Sequence, residues 1–137
     1  MGKESNLWQR LKRNTQEFVV WDRIENASGS GFPDTVGVCR GEMFALELKV
    51  VNGKSLYFQP SQIAWMTRNV KTGRNSLILA GYPDLSVSIL AYPNEPQKFK
   101  SGNKIRIPIA EFKNLRYYEH PIEWRDLLST ITSNIRQ

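Results

Sequence analysis

The chain has 137 residues, 40% of them hydrophobic and 23% charged, which suits one small domain (1–137) with a modest core. A net charge of +6 and a pI near 9.6 fit a polyanionic partner such as nucleic acid, although a merely basic protein shows the same balance. No apolar run reaches bilayer-spanning length and no apolar signal region opens the chain, while a lone cysteine, Cys39, excludes an intrachain disulfide and suits a reducing cytoplasm.

Lys3 to about Asn14 reads as a helix, with Leu7, Trp8 and Leu11 as its apolar stripe and Arg10, Lys12 and Arg13 around it. Glu4 stands three residues before Leu7 and four before Trp8, so it continues the inward stripe. The helix dipole also favours an acid in a first turn, which is the ordinary account of such a residue. Phe18 to Ile24 reads as a strand. Glu25 and then Ala27-Ser28-Gly29-Ser30-Gly31 follow. Ser28, Ser30 and the amides of this small-residue loop are candidates for phosphate contacts; plain connecting loops use the same residue types.

A hairpin is expected next. Its first strand starts at Asp34 and carries Val36 and Val38, Arg40-Gly41-Glu42 makes the turn, and the second strand runs from Met43 to Val50. Alternation places Phe44, Leu46, Leu48 and Val50 on one face, as core, and Met43, Ala45, Glu47 and Lys49 on the other. Two charges in the middle of an apolar strand are costly unless they are paired or bind something. Asp34, at the head of the neighbouring strand, can approach Glu47. Two carboxylates brought together repel, and a hard divalent cation such as Mg²⁺ removes the conflict.

Lys54 lies in the turn after this strand. Pro60 or Ser61 opens a second helix, with Ile63, Met66 and Val70 facing the sheet, Gln62 in the first turn, and Gly73 at the end. Arg68, Lys71 and Arg74 are candidate phosphate contacts or simply the wet face. Ser76 to Ala80 and Ser86 to Leu90 read as strands around a turn at Gly81-Tyr82-Pro83-Asp84. Tyr92 to Lys104 reads as a basic loop carrying Lys98, Lys100 and Lys104, and Ile105 to Ile109 as an edge strand limited by Pro108. His120-Pro121 is expected to start the last helix. Its stripe of Trp124, Leu128, Ile131 and Ile135 covers the sheet or forms a two-fold dimer interface. His120 has no ligand-spaced neighbours and reads as structural.

Pro33-Asp34 followed by Glu47-Leu48-Lys49 resembles the bipartite motif of the PD-(D/E)XK nuclease superfamily. With the lead-in Ser28-Gly29-Ser30-Gly31-Phe32 and the helix start Pro60-Ser61-Gln62-Ile63-Ala64-Trp65, roughly the first 80 residues resemble virus-type replication-repair nuclease (VRR-NUC) domains and archaeal-type Holliday junction resolvases. The resemblance implies a restriction-endonuclease-like α/β fold, a central mixed β-sheet flanked by helices. It implies a Mg²⁺-dependent endonuclease, with Mn²⁺ as a substitute, that cuts branched DNA as a homodimer. Asp34, Glu47 and the backbone carbonyl of Leu48 would hold the ion. Lys49 would orient water or stabilise charge on the phosphate, Glu4 would complete the acidic cluster, and Gln62 would hold a water or a phosphate. Flap-cutting, nicking and restriction-type relatives share the motif, and a non-catalytic DNA-binding module would keep only the positive charge. A purely structural Asp-Lys-Glu network on the strand is the remaining reading.

Overall fold

The computed structural model describes residues 3–24, 31–72, 77–99 and 102–135. Helix α1, Lys3–Thr15, is followed by strand β1, Val20–Arg23. The expected hairpin is strand β2, Thr35–Cys39, and strand β3, Glu42–Val50. Cys39 pairs with Glu42, so the turn is the dipeptide Arg40-Gly41, one residue shorter than the sequence suggested. Both turn residues take positive φ (53° and 78°), the conformation whose twist matches that of the flanking strands.

Strand β4, Ser55–Phe58, leads into helix α2, Pro60–Lys71, and then strand β5, Leu77–Gly81. Because β3 and β5 run parallel, the chain between them must cross over, and α2 is that crossover. Strand β6, Val87–Tyr92, returns antiparallel, and a 3₁₀ turn at Pro96–Lys98 occupies part of the expected basic loop. Strand β7, Ile105–Pro108, strand β8, Lys113–Glu119, and helix α3, Trp124–Ile135, complete the chain.

The main sheet is mixed, in the order β1-β2-β3-β5-β6-β8, and β4 pairs with β7 in a separate two-stranded sheet. One face of the main sheet packs on α1 and α3 through Leu7, Leu11, Phe44, Leu46, Leu48, Leu127 and Ile131. The other face, over β5 and β6, packs on α2 and the small sheet through Phe58, Ile63, Met66, Ile78, Ile89 and Ile107. Strand β3 thus turns Phe44, Leu46 and Leu48 to the first core, as its alternation required.

The structure departs from the sequence reading near the end of the chain. Residues 113–119 form an unforeseen strand, β8. The last helix starts at Trp124 rather than at His120-Pro121, because β8 and its connection occupy that stretch. The segment 105–108 is an edge strand as expected, of the two-stranded sheet, and it pairs with Ser55–Phe58 some fifty residues earlier. The apolar side of α3 covers the sheet, with Leu127, Leu128 and Ile131 buried, so that side is not free for a second copy. Glu25, Ser28, Ser30, Arg74 and Lys100 lie outside the described residues.

Candidate functional site

The site forms where the head of β2 meets the second half of β3. Gly31, with φ 79°, lies against the first turn of α2 so closely that a Cβ there would collide with the Ser61 carbonyl and approach the Gln62 nitrogen to 2.8 Å. Phe32 packs edge-on to Trp65 at 5.4 Å, and Pro33 is buried. These contacts clamp the Gly-Phe-Pro-Asp segment to α2 and deliver Asp34 to β3. There Asp34 Oδ2 accepts a hydrogen bond from the Leu48 N–H at 3.3 Å. In an extended strand the N–H and C=O of one residue project to the same side, so the Leu48 carbonyl also faces the Asp34 side.

Glu47 is only 5% exposed and hydrogen-bonds to the Asp34 side chain. Burial, then that hydrogen bond, then the charge of Asp34 push its carboxyl far above the usual range, with Lys49 opposing the shift. Lys49 Nζ donates to Gln62 Oε1 at 3.0 Å and sits 4.7 Å from the centre of the Phe58 ring. Gln62 Oε1 also accepts from the Gln59 N–H at 2.9 Å, and its Nε2 lies 3.5 Å from Glu47 Oε2. Gln62 therefore ties the start of α2 to both Lys49 and Glu47, more than a solvated first-turn residue does.

Glu4 lies at the start of α1 within electrostatic reach of the same groups. Burial raises its carboxyl pKa, Lys49 lowers it, Asp34 raises it and Arg23 lowers it. Among the described residues no group of three or more Asp, Glu, His or Cys side chains is arranged at ligand spacing. The oxygen set is thus two carboxylates with a backbone carbonyl beside them. That set suits Mg²⁺, which keeps most of its waters and takes one or two protein carboxylates, and the contact between the Asp34 and Glu47 side chains marks where a cation would relieve the repulsion.

The remaining candidates do not converge here. Arg68 and Lys71 are in the last turn of α2; Lys71 lies nine residues past Gln62, roughly 13 Å along the helix. Lys54 is exposed in the turn before β4, and Lys98 pairs with Glu111 at 3.4 Å on the surface. His120 is structural in its contacts. Its Nδ1 lies 2.6 Å from Arg10 Nη1 and its Nε2 3.0 Å from Ser88 Oγ. Phe58 and Gln59 hold the site but were not singled out from sequence. Gly31, named in sequence as part of the lead-in to the Pro-Asp pair, holds it by its close approach to α2.

No protein-family model matches the chain, and no curated protein matches it in sequence. Among solved structures the chain is similar to Hjc of Archaeoglobus fulgidus, a Holliday junction resolvase from an archaeal hyperthermophile. The two share 15% identity and superpose with a TM-score of 0.51 over 79% of this chain and 90% of that one. At this identity the likeness establishes the fold: a mixed sheet flanked by three helices, of the restriction-endonuclease-like type.

Proposed function

We propose that this protein is a Mg²⁺-dependent endonuclease that hydrolyses phosphodiester bonds in branched DNA, in the manner of a Holliday junction resolvase. The observation that carries the reading is the meeting of Asp34, Glu47, Lys49 and Gln62 at one point of a fold shared with such an enzyme. A structural ion-pair network accounts less well for the same residues, because Glu47 is paired with another acid rather than with Lys49. No helix among the described residues is long and apolar enough to cross a membrane.

In this reading Asp34, Glu47 and the Leu48 carbonyl hold the ion, and Mn²⁺ replaces Mg²⁺. A divalent ion at such a site polarises the scissile phosphate and lowers the pKa of water. Lys49, fixed by Gln62 and by the Phe58 ring, presents its ammonium to the charge that builds on the phosphate oxygens. Gln62 orients Lys49 and Glu47 together. Glu4 adds negative charge at the rim and helps attract the cation. The basic residues Lys54, Arg68, Lys71 and Lys98, with Ser28, Ser30, Arg74 and Lys100, approach the DNA backbone. The enzyme acts as a homodimer on a symmetric junction.

The test is a panel of labelled four-way, flap, nicked and linear DNA with Mg²⁺ or Mn²⁺, alongside light scattering. Four-way or flap DNA is cut, EDTA abolishes cutting, and Asp34→Asn or Lys49→Ala lowers the rate by roughly a hundredfold or more. Binding without cleavage in every metal would leave a DNA-binding module.

A further inference from the structure

The small sheet presents a surface that the metal site does not use. β4 and β7 turn Leu56, Phe58, Ile105 and Ile107 into the core, so the residues between them face outward. Tyr57 and Arg106 are the paired residues at the middle of that outer face. Lys104, one residue before β7, places its ammonium 4.9 Å from the centre of the Tyr57 ring. Arg106 Nη1 donates to Ser55 Oγ at 3.0 Å, which lays the guanidinium along β4. Lys54 is exposed in the turn that enters β4.

Among the described residues none of these three cations has a carboxylate partner. A surface built only for solubility intersperses both signs; this one gathers positive charge around a ring. It is joined to the candidate site through the backbone of β4, whose neighbouring residues 57 and 58 turn to opposite faces. Phe58, next to Tyr57, carries the Lys49 ammonium over its own ring, and Gln59, the residue after it, fixes Gln62.

We infer that this face binds an unpaired strand of the DNA substrate, with one base stacked on Tyr57 and phosphates held by Lys104, Arg106 and Lys54. An aromatic ring accepts the face of any base, so the contact is tolerant of sequence. A guanidinium matches a phosphate in two hydrogen bonds, and an exposed ammonium leaves a ring readily for an anion. A fully paired arm has no free base to offer. Substrates that expose unpaired nucleotides at the branch are therefore held more tightly than fully paired ones. The inference takes its substrate from the nuclease reading, yet its readout needs no cleavage.

Fluorescence anisotropy in EDTA compares a flap, a fully paired four-way junction and a blunt duplex. Tyr57→Leu weakens flap binding about tenfold and leaves duplex binding unchanged, whereas Tyr57→Phe binds like wild type. Lys104→Ala and Arg106→Ala weaken flap binding and reduce its salt slope by about one for each phosphate left without its cation. Wild-type flap affinity in Tyr57→Leu, or an equal loss on flap and duplex, overturns the proposal. Should Tyr57→Leu fail to fold, the two exposed cations carry the test, and an unchanged salt slope in both overturns it. Flap DNA bound through Tyr57 but never cut with metal would sink the nuclease reading alone; cutting of flap DNA with Tyr57→Leu binding at full affinity would sink only the platform.

Discussion

Glu47 occupies a place where a carboxylate is unstable as an anion. It is buried, hydrogen-bonded to Asp34 and only partly offset by Lys49. Its folded-state pKa, pushed from 4.5 to about 10, exceeds its unfolded one, so the folded state holds the extra proton. The resulting stability is complete at low pH and is lost as pH rises through that window. Metal-free protein should therefore melt at progressively lower temperature from pH 7 to pH 9, and Glu47→Gln should flatten the trend. On the proposed function, Mg²⁺ bound here would have to displace that proton. Calorimetry near pH 7.5 in two buffers of different ionisation enthalpy should show about one proton released per ion bound. A buffer-independent heat would mean that Glu47 does not hold the ion. Gly31 tests the same site through its backbone. Gly31→Ala adds a methyl where the Ser61 carbonyl already sits and at a positive φ, so it should cost about 2–4 kcal/mol in urea unfolding and weaken Mg²⁺ binding as Asp34 shifts. A loss below about 0.5 kcal/mol would show that the loop is not clamped.

At the scale of elements, α1 is tied to the sheet by a polar clasp. Arginine only donates, so His120 Nδ1 accepts from Arg10 and the ring is neutral, its proton on Nε2 and directed at Ser88 Oγ. Arg10 also donates to the Leu85 carbonyl at 3.0 Å, which joins α1 to the β5–β6 turn. Burial, then the charge of Arg10, hold the His120 pKa below 6.5. Here the unfolded state takes up the proton first, so stability is complete above 6.5 and falls as pH drops below it. Glu47 acts in the opposite direction over this range, so the clasp is read as a difference: from pH 7 to pH 5 wild type should lose stability relative to His120→Gln, and parallel curves would dismiss the clasp. The hairpin and α1 were legible because each has a single core-facing side and its periodicity survives. β8 was not. Leu115 faces the second core and Tyr118 the first, while Lys113, Arg116 and Glu119 stay wet, so no alternation appears. The β4–β7 pairing joins residues about fifty positions apart, which no local pattern reports. Among the site residues, Asp34, Glu47 and Lys49 were readable from parity and spacing. The use of Gln62 to bridge them was not, because it depends on where Gly31 allows α2 to sit.

At the scale of the whole molecule, β3 belongs to both cores at once. Phe44, Leu46 and Leu48 pack on α1 and α3, whereas Glu47 and Lys49 point to the side that α2 and the small sheet close. The groups of the candidate site therefore depend on both cores, and melting one core should dissolve the site and the other core together. Leu127, fully buried under the sheet, and Met66, 4% exposed over its other face, probe the two sides. Leu127→Ala and Met66→Ala should each lower unfolding stability by about 2–5 kcal/mol. A ligand that binds only the folded state adds RT ln(1 + [L]/Kd) whatever the starting stability. Saturating Mg²⁺ should thus add the same increment to wild type and to both variants in a single cooperative urea transition. Two transitions, with Mg²⁺ moving only one of them, would mean that one core can open alone and that the site belongs to the other.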